Sequence, residues 1–295
     1  MSCSANLMTK DIVFATCLAQ PDLQPSDAVL AKALDVHGLK VRPAPWNGDR
    51  EAFNGADAIV IRSTWDYQET PEAFAAWLAR LDDGRPVFNP PAMMRANMSK
   101  RYLLDLAAKG APLPATRWIA PEPGAIAKAM DEMGLTEAVV KPEFGATASG
   151  LSRVRWDDPA GLAAAAARMS MPGLVQALVP EIASAGETSF IFIAGEFTHA
   201  VTKRPKSGEI RCQAEHGGSA ALAEPSAQAV EEARAILGLI PGEPLYARVD
   251  AVVLDEGLRL MEVELIEPEL FFTYAPGSPE FGAAARFARA LIERL

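Results

Sequence analysis

Apolar and polar positions along the chain alternate in two rhythms. Residues 12–18, a stretch from Val41 and residues 58–61 are short apolar runs, the pattern of parallel strands buried on both faces. A polar loop follows the first run, and Ser26 is placed to cap a helix ending near His37-Gly38. Such a β-α-β opening predicts an open α/β sheet, with ligands beyond the carboxyl ends of its strands. Pro71 opens a helix to about Leu81, whose Phe74, Trp77, Leu78 and Leu81 form one core-facing stripe. Asn89-Pro90-Pro91 marks a boundary, after which Asn97 is expected to cap a helix over 98–108 stopped by Gly110. Strands are then predicted at 116–119, 138–141, 152–156 and 174–179, with helices at 123–133 and 159–169 between them. Pro180, lacking an N–H, ends the last strand as a hinge. A hairpin at 187–193 and 196–203, a helix at 225–237, a second hairpin and a final amphipathic helix at 279–295 complete the pattern.

The second hairpin, 245–270, carries the densest chemistry. A three-residue loop Asp255-Glu256-Gly257, with Gly257 in its left-handed position, would pair Leu254 with Leu258, Asp250 with Glu262, and Arg248 with Glu264. Paired residues share a face, so Arg248, Asp250, Glu262 and Glu264 would cluster beside Val252, Leu254, Leu258, Leu260 and Ile266. Three covered carboxylates with one arginine are under-neutralised, and divalent cations completed by water and phosphate oxygens are their natural complement. The alternative is a strand edge with solvated acids, and a one-residue slip would disperse the cluster.

Composition narrows the partners. The 295 residues are 49% hydrophobic and carry a net charge of −10, which argues against nucleic acid or an anionic membrane as the main partner. Cys3, Cys17 and Cys212 are scattered, form no metal-ligand pattern and suit a reducing compartment. The apolar run at 12–19 is too short for a membrane span. The expectation is a soluble, cytoplasmic protein, monomer or homodimer, acting on a small molecule.

Further candidates lie at loops. No GxGxxG follows the first strand, which disfavours a dinucleotide-binding domain. Arg62-Ser63-Thr64-Trp65-Asp66-Tyr67 follows the third strand; either Arg62 or Asp66 contacts a small zwitterionic substrate, or the stretch is a cap with a packed tryptophan. Lys141 ends an apolar strand and leads into Glu143–Gly150, whose two glycines and small hydroxyl residues can turn backbone N–H groups toward phosphates without being a Walker A. Lys100 opposes a helix dipole unless an anionic ligand lies there. Lys203-Arg204-Pro205-Lys206 and Arg211, followed by a polar, glycine-containing stretch at 212–218, are either a site loop or solvated.

Taken in order, these elements resemble the ATP-grasp superfamily, in the branch of glutathione synthetase, D-alanine–D-alanine ligase and ribosomal-protein glutamate ligases, from about residue 97 onward. The resemblance implies an α/β (α+β) fold in three parts. These are an N-terminal open α/β substrate domain (1–95), a small lid region with phosphate loop and hinge (96–180), and a C-terminal antiparallel-sheet domain with a metal site (181–295). It implies Lys100 and Lys141 on nucleotide phosphates, with Gly145, Thr147 and Ser149 in the loop closing over them. Gln176, Ala177, Leu178 and Val179 would read the adenine edge and Glu187 the ribose. Arg248 would lie near the transferred phosphate, with Asp250, Glu262 and Glu264 on magnesium. Where the family often has Glu-x-Asn, this chain has Glu262-Val263-Glu264. Glu267 also departs from the small residue usual there, and joins Arg62, Asp66 and Tyr274 as a substrate candidate. The stretches IRSTWDY, HAVTKRPKSGEIR and ELIEPELFF resemble a subgroup that includes the cyclo-ligase forming the D-cycloserine ring. The implied chemistry uses ATP and Mg²⁺ (one or two ions, with Mn²⁺ able to substitute) to activate an amino-acid-like carboxylate as an acylphosphate that an amine then captures. Arg211 and Lys203 are candidates for holding the acyl oxygen. A nucleotide-binding regulator without turnover and a small-molecule phosphotransferase are the alternatives.

Overall fold

The computed structural model describes residues 9–81, 84–122, 124–145, 150–206, 212, 217–275, 277 and 281–295. The first unit comprises β1 (Lys10–Thr16), α1 (Pro25–Val36), β2 (Leu39–Pro45), β3 (Ala58–Ser63), α2 (Pro71–Arg80) and β4 (Val87–Phe88). Its strands form a parallel sheet in the order β2-β1-β3-β4. Because the runs Ile12–Ala15 of β1 and Ala58–Ile61 of β3 are apolar and buried, both faces of the sheet are covered. Ile12, Phe14 and Val60 meet α1, while Val13, Ile59 and Ile61 meet the Phe74–Trp77–Leu78 stripe of α2. The helix does not start on a Ser26 cap: Gln24 is the cap and Pro25 the first helical residue. The Ser26 hydroxyl instead accepts from the Phe272 amide at 2.8 Å.

The connection onward departs from the predicted single helix. α3 (Pro91–Met98) ends, the chain turns extended at Ser99, and α4 (Tyr102–Ala108) begins. Asn97 lies inside α3 and is no cap; its amide donates to Val263 O and accepts from Leu265 N, both at 2.9 Å. The break is what brings Lys100 inward.

β5 (Thr116–Ile119), α5 (Ala125–Met133), β6 (Glu137–Pro142), β7 (Ser152–Arg155), α6 (Pro159–Arg168) and β8 (Gly173–Ala177) form a second unit. Its antiparallel sheet has the order β5-β8-β6-β7 and packs Ala138, Val140 and Val175 on α5 and α6. Gly173 permits the close approach of β8 to β6, since a Cβ there would stand 2.3 Å from the Lys141 carbonyl oxygen.

β9 (Glu187–Ile193), β10 (Glu196–Arg204), β11 (Ser219–Ala223), α7 (Ala227–Leu237), β12 (Tyr246–Leu254), β13 (Gly257–Glu264) and α8 (Ala283–Ile292) complete the chain. The five strands pair antiparallel as β11-β10-β9-β12-β13. One face carries Phe190, Phe192, Val249 and Ala251 onto α4 and α7. Alternation turns Glu187, Ser189, Arg248 and Asp250 to the other face. The last helix, α8, returns to the first sheet, where Phe287 and Leu291 join the core of Ile12, Phe14 and Leu34. No helix among the described residues is long and apolar enough to cross a membrane.

The β12–β13 hairpin reaches the predicted acid register by a different route. Leu254 pairs with Gly257 across a two-residue turn, Asp255-Glu256, so Val253 rather than Leu254 faces Leu258. A bulge then inserts Met261, since Ala251 pairs with Leu260 but Asp250 with Glu262. The extra residue restores the Asp250–Glu262 and Arg248–Glu264 pairs and flips every side chain beyond it. Leu258 and Leu260 therefore pack with Ala233 and Ile236 of α7, opposite the acids, which corrects the expectation that they share the acid face. Val252, Leu254 and Met261 remain on the acid side, against Val179 and Ile182.

Candidate active site

The three sheets enclose a cavity of about 530 Å³. The cavity's floor is the polar face of β9, β12 and β13. Asp250, 2% exposed, is the most tightly held group. Its carboxylate accepts from Ser189 Oγ at 2.6 Å, from Arg248 Nε and Nη2 at 2.8–3.2 Å, and from Lys203 Nζ at 3.3 Å. Burial opposes its charge, but Arg248 and Lys203 outweigh that and hold the carboxyl well below the usual range. Lys203 also pairs with Glu187 at 2.5 Å, and these two acids raise its pKa despite burial. Arg248 reaches on to Glu264, and its guanidinium lies 5.7 Å from the Phe271 ring centroid.

Glu264 is the overcharged member. Burial, only partly relieved by Arg248, together with Asp250 and Glu262 nearby, pushes its carboxyl up to about 7. Glu262 pairs with Lys100, whose pKa rises because this carboxylate outweighs the cost of burial. Lys100 owes its place to a small lattice of bonds. Tyr102 Oη bonds both the N–H and the carbonyl of Val263, Lys100 N donates to Glu143 O at 2.9 Å, and Ser99 Oγ donates to Glu143 Oε1 at 2.8 Å. Lys141 faces the same space with no hydrogen-bond or ion-pair partner among the described residues. Burial lowers its pKa, Glu262 counters this, and Lys100 adds to the lowering.

Away from the charges the cavity narrows to an apolar slot between Val139, Leu178, Val179, Ile182 and Met261. The Gln176 side chain is turned into the sheet, donating to Thr116 Oγ1 at 3.0 Å, so Leu178 and Val179 present mainly backbone and apolar surface to the slot. The opposite end is lined by Trp65, Tyr67, Glu267, Glu269, Phe271 and Tyr274.

The cavity thus brings together Lys100, Lys141, Gly145, Gln176 to Val179, Glu187, Lys203, Arg248, Asp250, Glu262, Glu264, Glu267 and Tyr274. Thr147, Ser149 and Arg211 lie outside the described residues. Arg62 and Asp66 do not line the cavity. Arg62, 2% exposed, bonds Asp27 at 2.7 Å and donates to Pro268 O at 3.0 Å, beneath the segment that bears Glu267. Asp66 accepts from Trp46 Nε1 and Asn47 Nδ2 at 2.6 and 2.8 Å. Their neighbours Trp65 and Tyr67 are the cavity-lining members of that stretch. The richness of the motif was the signal, but sequence alone does not say which side chains point inward. Glu269, Phe271, Ile182 and Met261 carried no sequence signal beyond adjacency to one.

Comparison with known proteins agrees with this geometry. Residues 12–89 match the family model for the N-terminal domain of D-cycloserine synthetase DcsG. The chain is 30% identical over 283 residues to the cycloserine biosynthesis protein DcsG of Streptomyces lavendulae, covering 90% of this chain and 92% of that one. The crystal structure of D-cycloserine synthetase DcsG superposes with a TM-score of 0.84 at 25% identity, over 96% of this chain and 99% of the other. D-Alanine–D-alanine ligase from Bacillus anthracis complexed with ATP shares the fold, with a TM-score of 0.66 at 15% identity, over 96% and 95%. The fold is that of an ATP-grasp enzyme, and the chain belongs to the D-cycloserine synthetase family of ATP-grasp ligases, ADP-forming enzymes that join a carboxylate to an amine.

ATP-grasp enzymes use ATP with magnesium, a hard cation held by oxygen donors. Among the described residues no three acid, histidine or cysteine side chains form a ready-made metal cage. Glu262 and Glu264 are nevertheless 31% and 28% open beside Lys100 and Arg248, with Asp250 bonded to Arg248. All-oxygen donors left incomplete by the protein suit magnesium, which keeps waters and substrate phosphates in its shell. The residues fit the ion.

Proposed function

We propose that this protein is an ATP- and Mg²⁺-dependent ligase. It activates a small amino-acid-like carboxylate and couples it to an amine, including one within the same molecule, as in closure of a cycloserine-type ring. The observation that carries the reading is that one cavity is lined by an apolar group at Val139, Leu178, Val179, Ile182 and Met261, by two lysines, by the Arg248–Asp250–Glu262–Glu264 cluster and by an aromatic, acidic group. Residues 1–95 serve as substrate domain, 96–180 as lid and 181–295 as the metal-bearing domain. The enzyme works in the cytoplasm as a monomer or homodimer.

The slot along Gln176–Val179 takes the adenine and Glu187 the ribose hydroxyls. Lys100 and Lys141 take the phosphates, Lys141 directly because no acid among the described residues pairs with it and Lys100 by leaving Glu262. Bound at Asp250, Glu262 and Glu264, one or two Mg²⁺ ions (or Mn²⁺) would neutralise the phosphate oxygens as charge shifts toward the leaving ADP. A substrate carboxylate oxygen attacks the γ-phosphorus, the bond to the β-phosphate oxygen breaks, and ADP departs. The amine nitrogen then attacks the acyl carbon, and the C–O bond to phosphate breaks with the amine proton leaving alongside. Both steps ask the protein mainly for positioning and charge. Arg248, held by Asp250 and Glu264, meets the transferred phosphoryl group, while Lys203 and Arg211 steady the acyl oxygen. Hydroxylamine as a general acceptor tests the reading. With ATP, magnesium and a panel of small amino acids, ADP and an amino-acid hydroxamate are expected in equal amounts. ATP binding without ADP release for every panel member would support a regulator instead.

A further inference from the structure

Every acid lining the cavity but one is bonded by a cation or by another residue. Glu187 pairs with Lys203, Asp250 with Arg248 and Lys203, Glu262 with Lys100, and Glu264 with Arg248. Glu269 Oε1 accepts from the Phe271 amide at 2.7 Å. Glu267 is 8% exposed and lines the cavity, yet among the described residues no cation and no other residue's side chain bonds its carboxylate, which has only its own backbone N–H. A buried carboxylate so placed is costly in the empty site and becomes favourable when a cationic group arrives.

Its surroundings are built and held. Trp65 Nε1 donates to the Glu267 carbonyl at 2.9 Å, and Arg62 fixes the next carbonyl, Pro268 O, at 3.0 Å. The carboxylate is therefore carried on a backbone clamped from the end of β3 and the loop after it. Tyr67, Phe271 and Tyr274 line the same end of the cavity. Phe271 has φ 51°, a left-handed conformation that large residues rarely adopt, which turns its ring toward Arg248. Aromatic rings beside an unpaired carboxylate match a compact cation such as a primary ammonium, which gains from both. A carboxylate or phosphate would be repelled there.

We infer that Glu267 is the counter-ion for a primary ammonium group on the substrate, so that this subsite selects amino-bearing carboxylates over their hydroxy or N-acyl counterparts. The inference rests on the ligase reading and adds the charge of the group bound beyond the phosphates. Burial and the neighbouring Glu264 raise the Glu267 carboxyl in the ligand-free cavity, consistent with a group awaiting a cation.

The test compares the wild type with Glu267→Gln and Glu267→Asp. ADP release with hydroxylamine is measured for alanine, serine and 2,3-diaminopropionate of both hands, against lactate, glycerate and the N-acetyl amino acids. In the wild type the amino form is expected to have a KM roughly 30-fold or more below its hydroxy counterpart, the size of a charge-assisted bond. E267Q should erase most of that preference through the amino-acid KM, leave the ATP and Mg²⁺ requirements within about twofold, and keep an unchanged or higher thermal midpoint. E267D should restore part of the preference. An unchanged amino-to-hydroxy ratio in E267Q would overturn the inference, as would a raised Mg²⁺ requirement in place of a raised KM, which would make Glu267 a metal ligand. If the wild type turns over no panel member, the ligase reading loses its support separately. Calorimetric binding of the same amino acids in the presence of ADP and magnesium then decides the subsite: loss in E267Q upholds it, and equal or absent binding in both proteins overturns it.

Discussion

Lys141→Met separates nucleotide binding from stability better than any other substitution in the cavity. Every other lysine or arginine there among the described residues holds an acid, so its removal orphans a buried carboxylate. Lys141 holds none, and burial already lowers its pKa. Methionine keeps an unbranched apolar stem and removes the terminal ammonium, so the thermal midpoint should stay or rise by a few degrees. In the complex, Lys141 would give a phosphate one charge-assisted hydrogen bond, worth about 1.5–3 kcal/mol. At about 1.4 kcal/mol per tenfold, ATP should bind roughly 10- to 150-fold more weakly. Titration calorimetry with ATP and magnesium reads the affinity, and a thermal melt without nucleotide reads the stability. ATP affinity within threefold of wild type would remove Lys141 from the phosphate site. A melt lowered by many degrees would show that its charge is structural.

Two further predictions test the frame around the site. His199 is buried, its Nε2 donates to Leu270 O at 3.0 Å, and burial lowers its pKa to about 4 from 6.5. The unfolded chain therefore binds the proton more readily, so stability is full above about pH 6.5 and falls as pH drops toward 4, by about 3 kcal/mol. Glu264 and Glu267, whose carboxyls are raised, act in the opposite direction over the same range, so the histidine is read as a difference. Between pH 7.5 and 4.5 the change in unfolding free energy from urea titrations should be less favourable by about 3 kcal/mol in the wild type than in His199→Gln. Arg62→Met leaves Asp27 buried without its partner and should cost about 3–5 kcal/mol. The double variant with Asp27→Leu should recover most of that, as read by urea unfolding.

The hydrophobic rhythm gave most strands and helices, because burial on one face or two leaves a period in the sequence, while the two-residue β4 and the largely exposed edge strand β11 left no such run and were not predicted. Asn97 shows where that reading stops. Its type suits a helix cap, but the chain uses its amide to strap Val263 and Leu265, and the break it sits beside is what delivers Lys100 to Glu262. The acid register was legible for a reason the sequence did not display. A shorter turn and the Met261 bulge offset one another, so the acids align as predicted while Leu258 and Leu260 do not. Arg62 looked like a substrate contact because charge near a strand end is common in ligand sites. Only the fold shows Asp27 beneath it, thirty-five residues away. Glu267 stood out as a departure from its relatives, yet its lack of a partner becomes visible only once its neighbours are in place.

The central claim, activation of a carboxylate by ATP in this cavity, is tested most directly by following oxygen. An accepted amino acid labelled with ¹⁸O in its carboxyl group is turned over with ATP, magnesium and hydroxylamine, and the released phosphate is analysed by mass. One ¹⁸O atom per phosphate is expected, carried from the carboxylate when the acyl C–O bond breaks. Phosphate free of label would contradict the account, and so would phosphate retained on the substrate.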